Sequence, residues 1–82
     1  LPSYNQREEM RNYTYHSRIV TELYRDGALS RCEIITLNYD GSRTSHQMWM
    51  TTTMFEEAMD GCQEIMASID RVYDDLVKDG RI

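Results

Sequence analysis

Two cysteines and two histidines are the residues of this chain best suited to covalent chemistry or metal binding. A thiol nucleophile would need Cys32 or Cys62 within hydrogen-bond reach of His16 or His46. Strand alternation predicts that Cys32 and both histidines point to opposite faces of one sheet, so this dyad is not expected. His16 and His46 could be neighbours through Leu37 on an intervening strand, but a metal site needs one or two further ligands and Glu33 lies too far along. Glu56, Asp60 and Glu64 recur every four residues on a helix exterior, where a solvated face is the plainer reading than a hydrolytic carboxylate pair. The sequence contains no phosphate-binding loop, dinucleotide fingerprint or nucleophile elbow. These observations point away from an enzyme, and no cofactor or metal is implied.

A second set of residues suggests binding. Tyr24, Tyr39, His46 and Met48 are interleaved with Arg18 and Arg31, and with Arg25 and Arg43 further out. Single-stranded nucleic acid is commonly held on rings that stack its bases, with arginines meeting its phosphates, and a sheet face can present both. Eight arginines to one lysine favour planar, hydrogen-bonding recognition over diffuse attraction. Tyrosines and methionines on a sheet serve equally well as core or as a dimer interface, so composition alone leaves these readings open.

Eighty-two residues make one domain near the lower size limit for a self-sufficient apolar core, which makes a partner subunit a natural complement. The net charge of -5 is unevenly placed, because the acidic excess falls within the last third of the chain. Net charge therefore predicts no long-range attraction to nucleic acid, although an arginine-bearing sheet can still be locally positive. Two thiols without CxxC spacing suit buried, reduced cysteines and a cytoplasmic or nuclear compartment. There is no secretory signal, and no apolar run is long enough to span a membrane. The chain opens on Leu1 rather than methionine, as a processed or excised chain does.

The elements that must position these residues follow from periodicity. From Met54 to Lys78, apolar residues recur at spacings of four and three (Phe55, Met59, Cys62, Met66, Ile69, Tyr73, Leu76), predicting one long amphipathic helix. Thr53 and Glu56 read as its capping box, and Lys78 with Gly80 as its end. Residues 1–11 read as an N-terminal arm. Strand composition from Asn12 to Arg25, Leu29 to Tyr39 and Thr44 to Met50, with turns at Asp26-Gly27 and Asp40-Gly41-Ser42, predicts an antiparallel sheet. The expected domain over residues 12–82 is α+β, βββα and two-layered, with a fourth strand if the first segment bends in two.

Two-residue hairpin loops place Ile19 opposite Ile34 and Glu22 opposite Arg31. One face then collects Tyr15, Ile19, Leu23, Cys32, Ile34 and Trp49 without a formal charge. The other collects Val20, Tyr24, Leu29, Ile35, Leu37, Tyr39, Met48 and Met50 with His16, Arg18, Arg31, Glu33 and His46. A three-residue second loop would invert the last strand. The uncharged face is cheaper to bury, so the helix is expected there. The remaining face would be an exposed apolar and arginine-rich patch that needs a partner. A homodimer is expected, with Ile35, Leu37 and Met50 of the sheet and Met66 and Tyr73 of the helix at its interface. The nucleic-acid site is expected at Arg18, Tyr24, Arg31, Tyr39, His46 and Met48.

The stretch Gln47-Met48-Trp49-Met50, the threonines Thr51 to Thr53, Phe55-Glu56-Glu57 and Gly61-Cys62-Gln63-Glu64-Ile65 resemble the purine-rich-element-binding (PUR), positive-cofactor and whirly group of single-strand binding proteins. The resemblance covers about the last 40 residues as a pattern of residue types. It implies a curved antiparallel sheet followed by a long helix, a dimer, and single-strand binding on the open sheet face. That group shows four strands where three are clear here, and the acidic total departs from nucleic-acid binding. The contrasting expectation is an acidic protein-interaction module, an inhibitor or adaptor docking by its sheet or its negative helix face.

Overall fold

Residues 12–25, rich in strand formers, turn back on themselves at His16-Ser17. The computed structural model describes residues 11–81. In it Arg11–Tyr15 forms β1 and Arg18–Asp26 forms β2, with Tyr15 paired to Arg18 across the turn. His16 carries the turn at φ 51, a left-handed conformation that histidine tolerates better than most side chains. The sheet is completed by β3, Leu29–Leu37, and β4, Arg43–Thr51, in the antiparallel order β1-β2-β3-β4. The chain is α+β with four strands rather than three. The expected arm at residues 1–11 lies outside the described residues except for Arg11, which opens β1.

The predicted single helix is two: α1, Thr52–Met59, and α2, Gln63–Lys78. Gly61 separates them at φ 87, and the amides of Gly61 and Cys62 donate to the carbonyls of Ala58 (2.9 Å) and Glu57 (3.0 Å). This is a Schellman closure, which satisfies carbonyls that the end of a helix leaves open. The same pattern ends α2, where Gly80 donates to Val77 and Arg81 to Leu76, as the Lys78-Gly80 signal predicts. The first cap differs from the expected Thr53–Glu56 box: the Thr51 side chain accepts from the Met54 amide at 3.0 Å.

Both helices cover one face of the sheet. Tyr13, Tyr15, Val20, Cys32, Ile34, Met48 and Met50 from the strands meet Phe55, Ala58, Met66 and Ile69 from the helices in one buried cluster. Two local irregularities decide which residues those are. The β2-β3 turn is Gly27-Ala28, with Gly27 at φ 63 as the first central position of a tight hairpin turn requires. Leu23 is then an extra residue, because Glu22 pairs with Cys32 and Tyr24 with Arg31. A bulge of one residue reverses every side chain beyond it, so Val20 rather than Ile19 shares a face with Ile34. The β3-β4 connection has five residues, 38–42, and its odd length inverts β4 in the same way, pairing Cys32 with Met48. The expected faces are corrected accordingly. Arg18, Val20, His46, Met48 and Met50 lie beneath the helices, while Ile19, Thr21, Gln47 and Trp49 lie on the open face. Cys32, Ile34 and Tyr15 are covered as expected, and Tyr24, Arg31, Glu33, Ile35 and Leu37 are on the open side.

An ionic cluster fastens α1 to the sheet. Glu22 is buried, accepts from Arg25 Nε (2.9 Å) and Nη2 (3.1 Å), and accepts from Ser30 Oγ at 2.6 Å. Glu56 of α1 reaches back to Arg11 at 3.0 Å and Arg25 at 2.7 Å. The paired guanidiniums hold the Glu56 carboxyl below its ordinary range, with hydrogen bonding from Arg11 the leading cause.

Candidate binding face and the polar cluster behind it

On the open side of the sheet, β2, β3 and β4 bring Tyr24, Arg31 and Trp49 into one row, since Tyr24 pairs with Arg31 and Arg31 with Trp49. The Tyr24 ring meets Trp49 edge-on, with centroids 5.5 Å apart and planes at 87°. The Arg31 guanidinium lies 5.5 Å from the Trp49 ring centre and donates through Nε to Gln47 Oε1 at 3.3 Å. Trp49 remains 42% exposed, and no described element covers it. Ile19, Ile35 and Leu37 continue this face toward the other end of the sheet, with Leu37 37% exposed. Of its carboxylates, Glu33 accepts from Ser45 Oγ at 3.0 Å, and Asp26 lies at the turn end opposite Leu29. An exposed indole with a phenol edge-on beside it and a guanidinium next to both can stack a planar group and hold an anion beside it.

The sequence-predicted site residues divide between the two sides of the sheet. Tyr24 and Arg31 are together, whereas Tyr39 stands apart in the 38–42 loop, fully exposed. Arg18, His46 and Met48 are behind the sheet, against α2. There Arg18 is ion-paired with Asp70 and lies 4.7 Å from the Tyr73 ring centre, and the His46 ring meets the same ring at 4.5 Å with the planes tilted by 35°. Tyr15 Oη also donates to Asp70, at 3.3 Å. Burial, reinforced by the Arg18 charge, lowers the His46 pKa. Of the expected dimer contacts, Met50 and Met66 belong to the protomer's own core, and Tyr73 is the lid over Arg18 and His46. Trp49, expected on the buried face from the sequence pattern, is turned to the open one by the odd length of the 38–42 loop.

The thiols and histidines are differently placed than expected. Cys32 shares the covered face with His46, yet it is fully buried and its thiol is pushed up to about 12, chiefly by burial. A catalytic thiol needs the opposite shift. His16 faces Asp70 at 3.8 Å from the β1-β2 turn. Among the described residues no three of His, Cys, Asp and Glu gather as a metal site requires, and no helix is long and apolar enough to cross a membrane. A groove of about 410 Å³ between β4 and α2 is lined by Thr44, Ser45, His46, Tyr73 and Val77. Comparison with known protein families, with curated proteins and with solved structures finds no match for this chain.

Proposed function

We propose that this chain is a small non-enzymatic binding module, homodimeric, that takes single-stranded nucleic acid on the open face of its sheet in a reducing compartment, cytoplasmic or nuclear. The observation that carries this reading is the uncovered Tyr24–Trp49–Arg31 row. Stacking on such rings is worth about 1–3 kcal/mol per base and tolerates any sequence. Arg43, which pairs with Leu37 at the start of β4, adds a second cation to a face on which Glu33 is engaged by Ser45. Arg18, His46 and Met48 are not part of the proposed surface, since α2 occupies them.

Trp49 is the only tryptophan, so its emission reports directly on this face. Titration with a labelled oligothymidylate at low salt is expected to quench it. In anisotropy, Trp49→Ala and Arg31→Ala should each weaken binding about tenfold or more, and Arg31→Ala should flatten the salt dependence as well. Unchanged emission and anisotropy at low salt would remove the reading. The acidic interaction module is favoured by one separate observation, the exposed carboxylates Glu57, Asp60, Glu64, Asp74 and Asp75 on and between the helices and Asp79 just past α2. That reading expects capture of a basic partner that Asp74→Asn with Asp75→Asn abolishes and Trp49→Ala leaves intact.

A further inference from the structure

The last strand of the sheet has one hydrogen-bonded neighbour among the described residues, β3, and so leaves an edge. Which of its groups are unengaged can be derived. Asn38 N donates to Ser42 O at 2.9 Å and Thr52 N to Ala28 O at 2.8 Å, at the two ends of the β3-β4 ladder. In an antiparallel pair, bonded and non-bonded positions alternate. The bonded positions of β4 are therefore Thr44, His46, Met48 and Met50, and the N–H and C=O groups of Arg43, Ser45, Gln47, Trp49 and Thr51 point away from the sheet. Natural edges are guarded by shortness, proline, bulges or inward charges. This one is nine residues long, has no proline and no register shift, and carries one charged residue, Arg43, at its end.

We propose that this edge is the homodimer interface, with β4 pairing antiparallel to β4 of a second copy about a two-fold axis at Gln47. Outward groups can pair only with outward groups, and the register centred on Gln47 uses all five such residues from each copy. It sets Gln47 against the partner's Gln47, Ser45 against the partner's Trp49, and Arg43 against the partner's Thr51, so no like charges are opposed. The same surface serves both copies, as a closed two-fold dimer requires. The result is a continuous eight-stranded sheet with both Tyr24–Trp49–Arg31 rows on one face and both helical layers on the other. Val77, half exposed, borders the groove over Thr44–His46 and places apolar surface of α2 beside the same half of β4.

The proposal rests on the homodimeric part of the functional reading and is independent of the ligand. Light scattering and sedimentation of the full chain are expected to give twice the 9.7 kDa protomer mass. Gln47→Pro removes an outward N–H that no bond within the protomer uses, and proline is tolerated at such an edge position. It should yield a folded monomer with unchanged far-ultraviolet circular dichroism. Gln47→Lys, which sets like charges against each other at the axis, should raise the dimer dissociation constant at least tenfold and recover with salt. Gln47→Cys should cross-link to a dimer with a short bismaleimide. A monomeric wild type overturns both this proposal and the homodimer reading. A wild-type dimer that persists unchanged in Gln47→Pro and Gln47→Lys overturns the β4 interface alone. Trp49 quenching by oligothymidylate, measured on the same samples, reports separately on the ligand.

Discussion

His46 shows what burial does to a single titratable side chain in this protein. Its ring packs, tilted, against Tyr73 of α2 with Arg18 of β2 beside it, and neither ring nitrogen has a hydrogen-bond partner among the described residues. Protonation would place a second cation next to the Arg18 guanidinium in a half-buried setting, and Asp70, already paired with Arg18 and close to His16, is the nearby counter-charge. Burial first and the Arg18 charge second therefore hold the folded-state pKa below the ordinary histidine value of 6.5. The unfolded chain binds the proton more readily, so stability is highest above the unfolded value and falls as pH drops through it toward the folded one. Urea unfolding between about pH 7.5 and pH 5 should show this decline, and His46→Phe, which keeps the stacking ring, should reduce it. A slope of the same size in His46→Phe would assign the proton uptake elsewhere.

At the scale of elements, the break between α1 and α2 is set by a single backbone conformation. Gly61 is left-handed at φ 87, and a Cβ placed there meets no atom within 4 Å, so any cost of Gly61→Ala is conformational rather than steric crowding. That cost is about 1–2 kcal/mol. Denaturation of Gly61→Ala should show a loss of that size with no change in cooperativity. A stabilised variant would mean that the two helices favour fusing into the continuous helix that the apolar periodicity suggests.

That periodicity illustrates how much of the fold the chain displays openly. The stripe from Phe55 to Leu76 and the strand composition report burial, and both translated correctly into a sheet followed by helix. The Asp60-Gly61 pair was a readable stop signal that the unbroken heptad spacing obscured. The turn at His16-Ser17 contains no glycine, asparagine or aspartate, so the division of the first segment had no local marker. The Leu23 bulge is less legible still, because it arises from how Glu22 finds Arg25 and Ser30 on the covered side while Tyr24 remains with Trp49 on the open one. That one unmarked residue moved Arg18 from the expected surface into the interior, and the odd length of the 38–42 loop did the same to His46 and Met48. Tyr24 and Arg31 kept their expected face because they lie on the turn side of the bulge.

For the whole molecule, the distribution of charge and the proposed β4 pairing combine into one further prediction. The carboxylates at exposed positions of α1, α2 and the segment joining them lie on the helical layer, while Arg31 and Arg43 belong to the opposite face. A strand of nucleic acid would thus approach one side only. In the dimer centred on Gln47 the two Trp49 positions are separated by about 14 Å along the strands, four residues at about 3.4 Å each. Two weak stacking sites held at a fixed separation bind one strand with an avidity that neither has alone, provided the strand can reach both. An oligothymidylate of about 16 nucleotides should therefore bind the wild type at least about tenfold more tightly than one of about 4, lengths that bracket the usual site sizes of single-strand binding domains. Gln47→Pro, which also removes the acceptor of Arg31, should lose most of the advantage of the long strand over the short one, read as the ratio of the two affinities by Trp49 quenching at equal salt. An equal advantage in monomer and dimer would mean that the two rows do not share a strand, whatever joins the protomers.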